Sequence, residues 1–97
     1  MNDRELYQQK RQAQLDEWKA EVARLKAKAS MASADEQLKM NKRIKDLEHG
    51  IDERRTELSE LAEASEDAWE SLRDGVDSAW DSLKSAVGDA AAAFKRD

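Results

Sequence analysis

His49 is the single histidine of this chain, and it lies among carboxylates: Glu48 beside it, Asp52 three residues on and Glu53 four residues on. An imidazole and a carboxylate one helical turn apart are the beginning of a metal site or an acid–base pair. A zinc-type site needs three or four converging ligands, and the sequence holds no second histidine and no cysteine. His49 therefore reads as a solvent-facing helix residue. A second group, Glu66, Asp67, Glu70, Asp74, Asp77 and Asp81, places carboxylates at helical spacing. Proton transfer between such groups requires a desolvated pocket that separates their pKa values. One amphipathic helix supplies no pocket, so the stripe reads as a solvated face, with weak divalent-cation binding as the alternative. Trp18, Trp69 and Trp80 offer flat surfaces for a ligand, but aromatics at helical spacing are more often packing anchors. Arg54-Arg55 is too short for a nucleic-acid patch and fits a seam-specifying polar pair or an intermolecular salt bridge. A glycine-rich phosphate loop, a nucleophile elbow and a catalytic-triad composition are all missing from the sequence. The expectation is a non-enzymatic protein with no catalytic, cofactor-binding or metal-ligating residues and no cofactor.

The composition points to helices as the elements that carry these residues. Of 97 residues, 40% are charged and 5% aromatic, with no proline and three glycines. Strong helix formers dominate and the two strongest breakers are nearly absent. A disordered chain could be equally charged, but it would lack the apolar periodicity described next. The net charge of −5 is uneven. Residues 1–56 hold 13 Lys/Arg against 11 Asp/Glu, whereas residues 57–97 hold 4 against 11. Such an acidic half repels phosphate backbones and anionic headgroups, which argues against a nucleic-acid partner. Without cysteines, an apolar signal-like N-terminus or a run of about 20 apolar residues, a cytoplasmic location is expected.

From about Arg4 to Met31 the apolar residues Leu15, Trp18, Val22, Leu25 and Ala29 recur at spacings of 3 and 4, with Tyr7 extending the stripe. That is a heptad seam. Small and capping residues then cluster at 29–35, and Ser33 with Glu36 three places later has the form of a capping box. A short turn near 30–35 is expected, one unbroken helix being the alternative. Beyond it, Met40, Ile44, Leu47, Ile51, Leu58 and Leu61 continue a heptad pattern in which Arg54 takes the skipped position. The two stripes are each about 42 Å long at about 1.5 Å per residue. Residues 1–62 are thus expected to form an antiparallel helical hairpin of coiled-coil type.

Residues 63–97 follow a different rhythm. Ala68-Trp69-Glu70-Ser71-Leu72-Arg73-Asp74-Gly75-Val76 is matched eleven residues on by Ala79-Trp80-Asp81-Ser82-Leu83-Lys84-Ser85-Ala86-Val87. Eleven residues overshoot three helical turns by only about 20°, so Trp69 and Trp80 share a face. Ser65-Glu66-Asp67 is a weak cap, and no strong breaker lies between Asp35 and Ala93. The expected architecture is all-α: the hairpin, with its second helix running on from about 34 to 94 as an amphipathic 11-residue-repeat segment. That overhang would expose an interaction surface of Leu58, Leu61, Trp69, Leu72, Val76, Trp80, Leu83, Val87 and Phe94. Burial is worth about 1.5–3 kcal/mol for each such side chain, so a cover is required.

Gln14-Leu15-Asp16-Glu17-Trp18, the Lys/Glu-rich centre and the doubled Trp-x-x-Leu unit resemble a family of small bacterial coiled-coil proteins labelled stress-response or uncharacterised. The resemblance covers nearly the whole chain, rests mostly on the doubled unit, and implies a bacterial cytoplasmic protein linked to stress. It transfers no catalytic residue. The leading expectation is a helical scaffold that self-associates as a homo-oligomer through its C-terminal repeat, with an unknown protein partner also open. An amphipathic helix on a lipid surface is the alternative, weakened by the acidic polar face. A fold-back three-helix bundle that covers the stripe within the chain is the third arrangement.

Overall fold

The computed structural model describes residues 2–95 and is built entirely of helices: α1 (Asp3–Ala29), α2 (Ala34–Glu63) and α3 (Glu66–Phe94). Each begins where a short polar side chain can replace a missing backbone partner. The Asn2 side chain accepts from the Glu5 N–H at 2.8 Å, Ser33 from Glu36 at 3.5 Å and Ser65 from Ala68 at 3.3 Å. Acidic residues stand in every first turn, where they meet the positive end of the helix dipole. The turn between α1 and α2 occupies Ser30–Ser33.

The second connection corrects the expected continuous helix. Residues 34–94 are not one rod: α2 stops at Glu63, and Ala64 and Ser65 turn the chain so that α3 folds back. Ion pairs and hydrogen bonds fix the directions. Lys26 near the end of α1 meets Glu48 in α2 at 2.8 Å, while Arg4 at the start of α1 reaches carbonyls at the end of α2 and the side chain of Glu66 at the start of α3. α1 and α2 therefore run in opposite senses, and α3 runs with α1. The bundle measures 51 × 21 × 17 Å.

Magnitudes explain why the corner forms although the local sequence favours helix. Breaking the helix forfeits a few backbone hydrogen bonds, each worth about 1 kcal/mol net. Folding back buries Val76, Trp80, Leu83, Val87 and Phe94 against α1 and α2, at about 1.5–3 kcal/mol each. The tertiary term wins.

The core is one cluster with contributions from all three helices: Leu15, Trp18, Val22, Leu25 and Ala29 from α1, Ile44, Leu47, Ile51, Leu58 and Leu61 from α2, and Val76 to Phe94 from α3. The buried residues of α3 lie at 76, 80, 83, 87, 90 and 94, a seven-residue rhythm. This rhythm and the 11-residue one share Trp69, Val76, Trp80, Leu83, Val87 and Phe94 and differ only at 72 against 73 and at 91 against 90. The 11-residue reading calls for Leu72 and Ala91; the bundle instead buries Ala90, leaves Arg73 half-buried and leaves Leu72 44% exposed. A helix packed along heptad-phased neighbours must keep about 3.5 residues per turn to hold its stripe against them.

Gly50 is a point of close approach between α2 and α3. A Cβ built there would stand 3.0 Å from Leu83 Cδ1. Gly75 in α3 has no neighbour within 4 Å of a built Cβ.

Candidate functional site

The most densely polar part of the fold lies where the N-terminal halves of α1 and α3 meet beside the end of α2. This end is short of apolar residues. Seam positions that carry leucine or isoleucine elsewhere are taken by Arg11 in α1, Arg54 in α2 and Arg73 in α3, all half-buried. Tyr7 and Trp69 fill part of the gap, with ring centroids 5.7 Å apart in an edge-to-face arrangement. The guanidinium groups lie over the rings: Arg4 and Arg73 are 5.7 and 5.0 Å from the Trp69 centroid, and Arg11 is 5.1 Å from Tyr7 and 5.4 Å from Trp80. Cation–aromatic contacts of this kind are worth about 0.5–1 kcal/mol where water still reaches them.

Asp77 ties the cluster together. Its Oδ1 accepts from the Tyr7 hydroxyl at 2.5 Å and from Arg11 Nη2 at 2.7 Å. Burial alone would push the Asp77 carboxyl up; the hydrogen bonds from Tyr7 and Arg11, with the charges of Arg11 and Arg73, outweigh it and hold the carboxyl below its ordinary value. Burial pushes the Tyr7 hydroxyl up, and the bond to Asp77 adds to that. Burial would lower Arg11, but Tyr7 and Asp77 more than offset it.

The signs predict where this contact fails. A depressed Asp77 stabilises the fold above the ordinary aspartate pKa of about 3.9 and loses that contribution as pH falls through its lower folded value. A raised Tyr7 stabilises below the ordinary tyrosine pKa of about 10 and loses its contribution as pH rises through its higher folded value. Urea midpoints of Asp77→Asn and the unaltered chain are therefore expected to differ at pH 7 and to converge below about pH 3.9. A gap that persists unchanged into acid would show that the Asp77 charge is not the origin of the effect.

At the C-terminus of α2 the structure adds a second device. Arg4 Nη2 donates to the carbonyls of Leu61 at 3.1 Å, Ala62 at 3.3 Å and Ala64 at 2.5 Å. The last turn of α2 has no basic residue of its own. A cation from α1 thus serves carbonyls of the helix end, of which Leu61 also accepts from the Ala64 N–H at 3.2 Å.

Comparison with protein-family models, with curated proteins and with solved structures finds no match to this chain. The bundle's own geometry therefore carries the functional argument.

The nine residues expected to form an exposed interaction surface sit differently from one another. Leu58, Leu61, Val76, Trp80, Leu83, Val87 and Phe94 are buried inside the chain, Trp69 is half-buried, and Leu72 alone of the nine is exposed. The cover that the sequence assigned to another molecule is supplied by α1 and α2. Trp18 and Trp80 face each other with centroids 6.2 Å apart and pack in the core. His49 Nε2 lies 2.6 Å from Glu53 Oε1 on the exposed side of α2, and among the described residues no three His, Asp or Glu side chains converge as a metal site would require. Arg54 pairs with Glu57 at 2.8 Å and Glu53 at 3.1 Å on its own helix. No helix of the described residues is long and apolar enough to cross a membrane.

Sequence reading missed Arg4, Tyr7 with Arg11, and the particular role of Asp77. One signal was present: Arg11 stands four residues before Leu15, in phase with the α1 seam. Nothing along the chain announces Arg4, whose partners lie about 60 residues away.

Proposed function

We propose that this chain is a non-enzymatic helical interaction protein that self-associates by helix pairing, with α3 as the pairing element. The observation that supports this is the disposition of apolar side chains. Nearly all of them lie in three matched seams, and the α3 seam from Val76 to Phe94 is completed by a groove that any copy of α1 and α2 would present. A surface made this way recognises helices of like phase and length. The acidic polar face of α3, with Glu70, Asp74 and Asp81 exposed, favours a protein partner over an anionic lipid surface. The resemblance of the doubled Trp-x-x-Leu unit adds a bacterial stress setting to this reading. Sedimentation equilibrium over a wide concentration range tests it. A reversible, concentration-dependent dimer is the expected result; a strict monomer into the high micromolar range overturns it.

A further inference from the structure

We infer that the Ala64–Ser65 corner is a hinge through which two copies of this chain exchange their third helices, and that Arg4 is the latch that keeps it bent. The inference rests on the self-association reading and names its route.

The backbone at the corner departs from the helical conformation at two residues, Ala64 and Ser65, both of them extended. Ala64 has φ −69° and Ser65 φ −66°, both close to the α-helical value, and the turn lies entirely in their ψ angles of 149° and 165°. The described residues contain no positive φ, and neither glycine nor proline stands at this corner. Two ψ rotations would therefore join α2 and α3 into a single helix. The sequence across the joint, Glu60-Leu61-Ala62-Glu63-Ala64, is strongly helix-forming.

Straightening changes which partners the backbone uses. In the bent form the Ala62 and Ala64 carbonyls accept from Arg4, the Leu61 carbonyl accepts from both Arg4 and the Ala64 N–H, and the Ala68 N–H of α3 donates to the Ser65 hydroxyl. In a continuous helix the same carbonyls accept from residues 65, 66 and 68, so both sets are satisfied without either cap. What straightening exposes is the α3 seam from Val76 to Phe94. A second straightened copy restores that burial reciprocally, because each α3 lies in the groove that the other copy's α3 has left. Every core contact that α3 makes with α1 and α2 in the monomer is remade between chains, as in other exchanged-element dimers. The balance is then set by the association entropy on one side and the corner on the other. Arg4 braces the corner from α1, donating to three carbonyls at the end of α2.

Two substitutions act on the hinge in opposite directions. Arg4→Ala removes the latch and leaves both helices intact. Glu66→Pro locks the bend: position 66 is the first residue of α3, where proline is well tolerated, and Ser65 already has the extended ψ that a following proline demands. In a straight helix the same proline would meet the carbonyl of residue 62 and remove a hydrogen bond. Glu66→Ala controls for the lost charge, including the 3.9 Å approach to Arg4.

Sedimentation of the full chain and its variants, with small-angle scattering of the dimer fraction, tests the proposal. Arg4→Ala is expected to raise the dimerisation constant about tenfold or more. Glu66→Pro is expected to lower it about a hundredfold or more, with the helicity and urea midpoint of the monomer kept and Glu66→Ala near the unaltered chain. The dimer should extend to roughly 90 Å or more, the length of residues 34–94 as one helix at about 1.5 Å per residue. A dimer that forms equally well with Glu66→Pro overturns the exchange and leaves self-association standing. A strict monomer in every variant overturns both.

Discussion

Replacing Trp80 with alanine is expected to destabilise the bundle by about 3–5 kcal/mol, the range for truncating a fully buried aromatic. Trp80 is the largest side chain buried to within 2%. On one side it meets Trp18 of α1; over its ring lies the Arg11 guanidinium. Alanine would leave a void that Leu83 and Val76 on the same helix cannot fill without breaking their own contacts. Domains of this size hold only about 5–15 kcal/mol in total, so the variant should be close to unfolded at 37 °C. Leu72→Ala is the matched comparison. Leu72 belongs to the same Trp-x-x-Leu pattern but is 44% exposed, at the edge of a groove beside Leu61 and Val76, and its loss should cost no more than about 1 kcal/mol. Urea denaturation followed by far-ultraviolet circular dichroism separates the two. Equal losses would mean that the 11-residue rhythm, and not the seven-residue one, decides which side chains are buried.

The second large effect has the opposite sign. Arg54→Leu is expected to raise stability by about 1–3 kcal/mol, and the thermal midpoint by several degrees. Arg54 occupies a seam position between Ile51 and Leu58, with its side chain only 14% exposed. Its partners Glu53 and Glu57 are on the same helix, each more than a third accessible to water. Removing the guanidinium therefore strands no deeply buried charge, and leucine continues the stripe of α2. An arginine in an apolar seam lowers stability but distinguishes one register and one set of neighbours from others. If Arg54→Leu is more stable but populates mixed oligomers, that role is supported. If it is less stable, the intrahelical pairs contribute more than the burial they displace.

The Trp80 and Leu72 substitutions depend on the phase of α3, and phase is where sequence and structure diverged. Leu15 to Ala29 and Ile44 to Leu61 carry a 3–4 spacing that no other element type explains, and those same residues form two walls of the core. Ser33 is legible as a helix start because capping is local, involving groups three residues apart. Ser65 is equally a cap in the structure, yet the sequence around it reads as continuous helix. Local propensity could not decide between a bend and a rod here. The difference lies in the Val76–Phe94 stripe finding cover, and cover is a property of the assembled chain.

The Tyr7–Arg11–Asp77 contact was hidden for a related reason. Asp77 stands in a run of carboxylates that are otherwise solvated, and only the packing of α3 beside α1 separates it from Asp74 and Asp81.

By itself the sequence determined that this protein is helical, where its first two apolar stripes run and which face of each helix is charged, because helix propensity, capping and periodicity act over a few residues. Only the tertiary structure decided that the third stripe is buried within the same chain. It also decided that the stripe keeps the seven-residue phase of its neighbours, and that Arg4 holds the corner by which it folds back. Those outcomes depend on groups about 60 residues apart, and they are settled by several kcal/mol of burial against a few backbone hydrogen bonds.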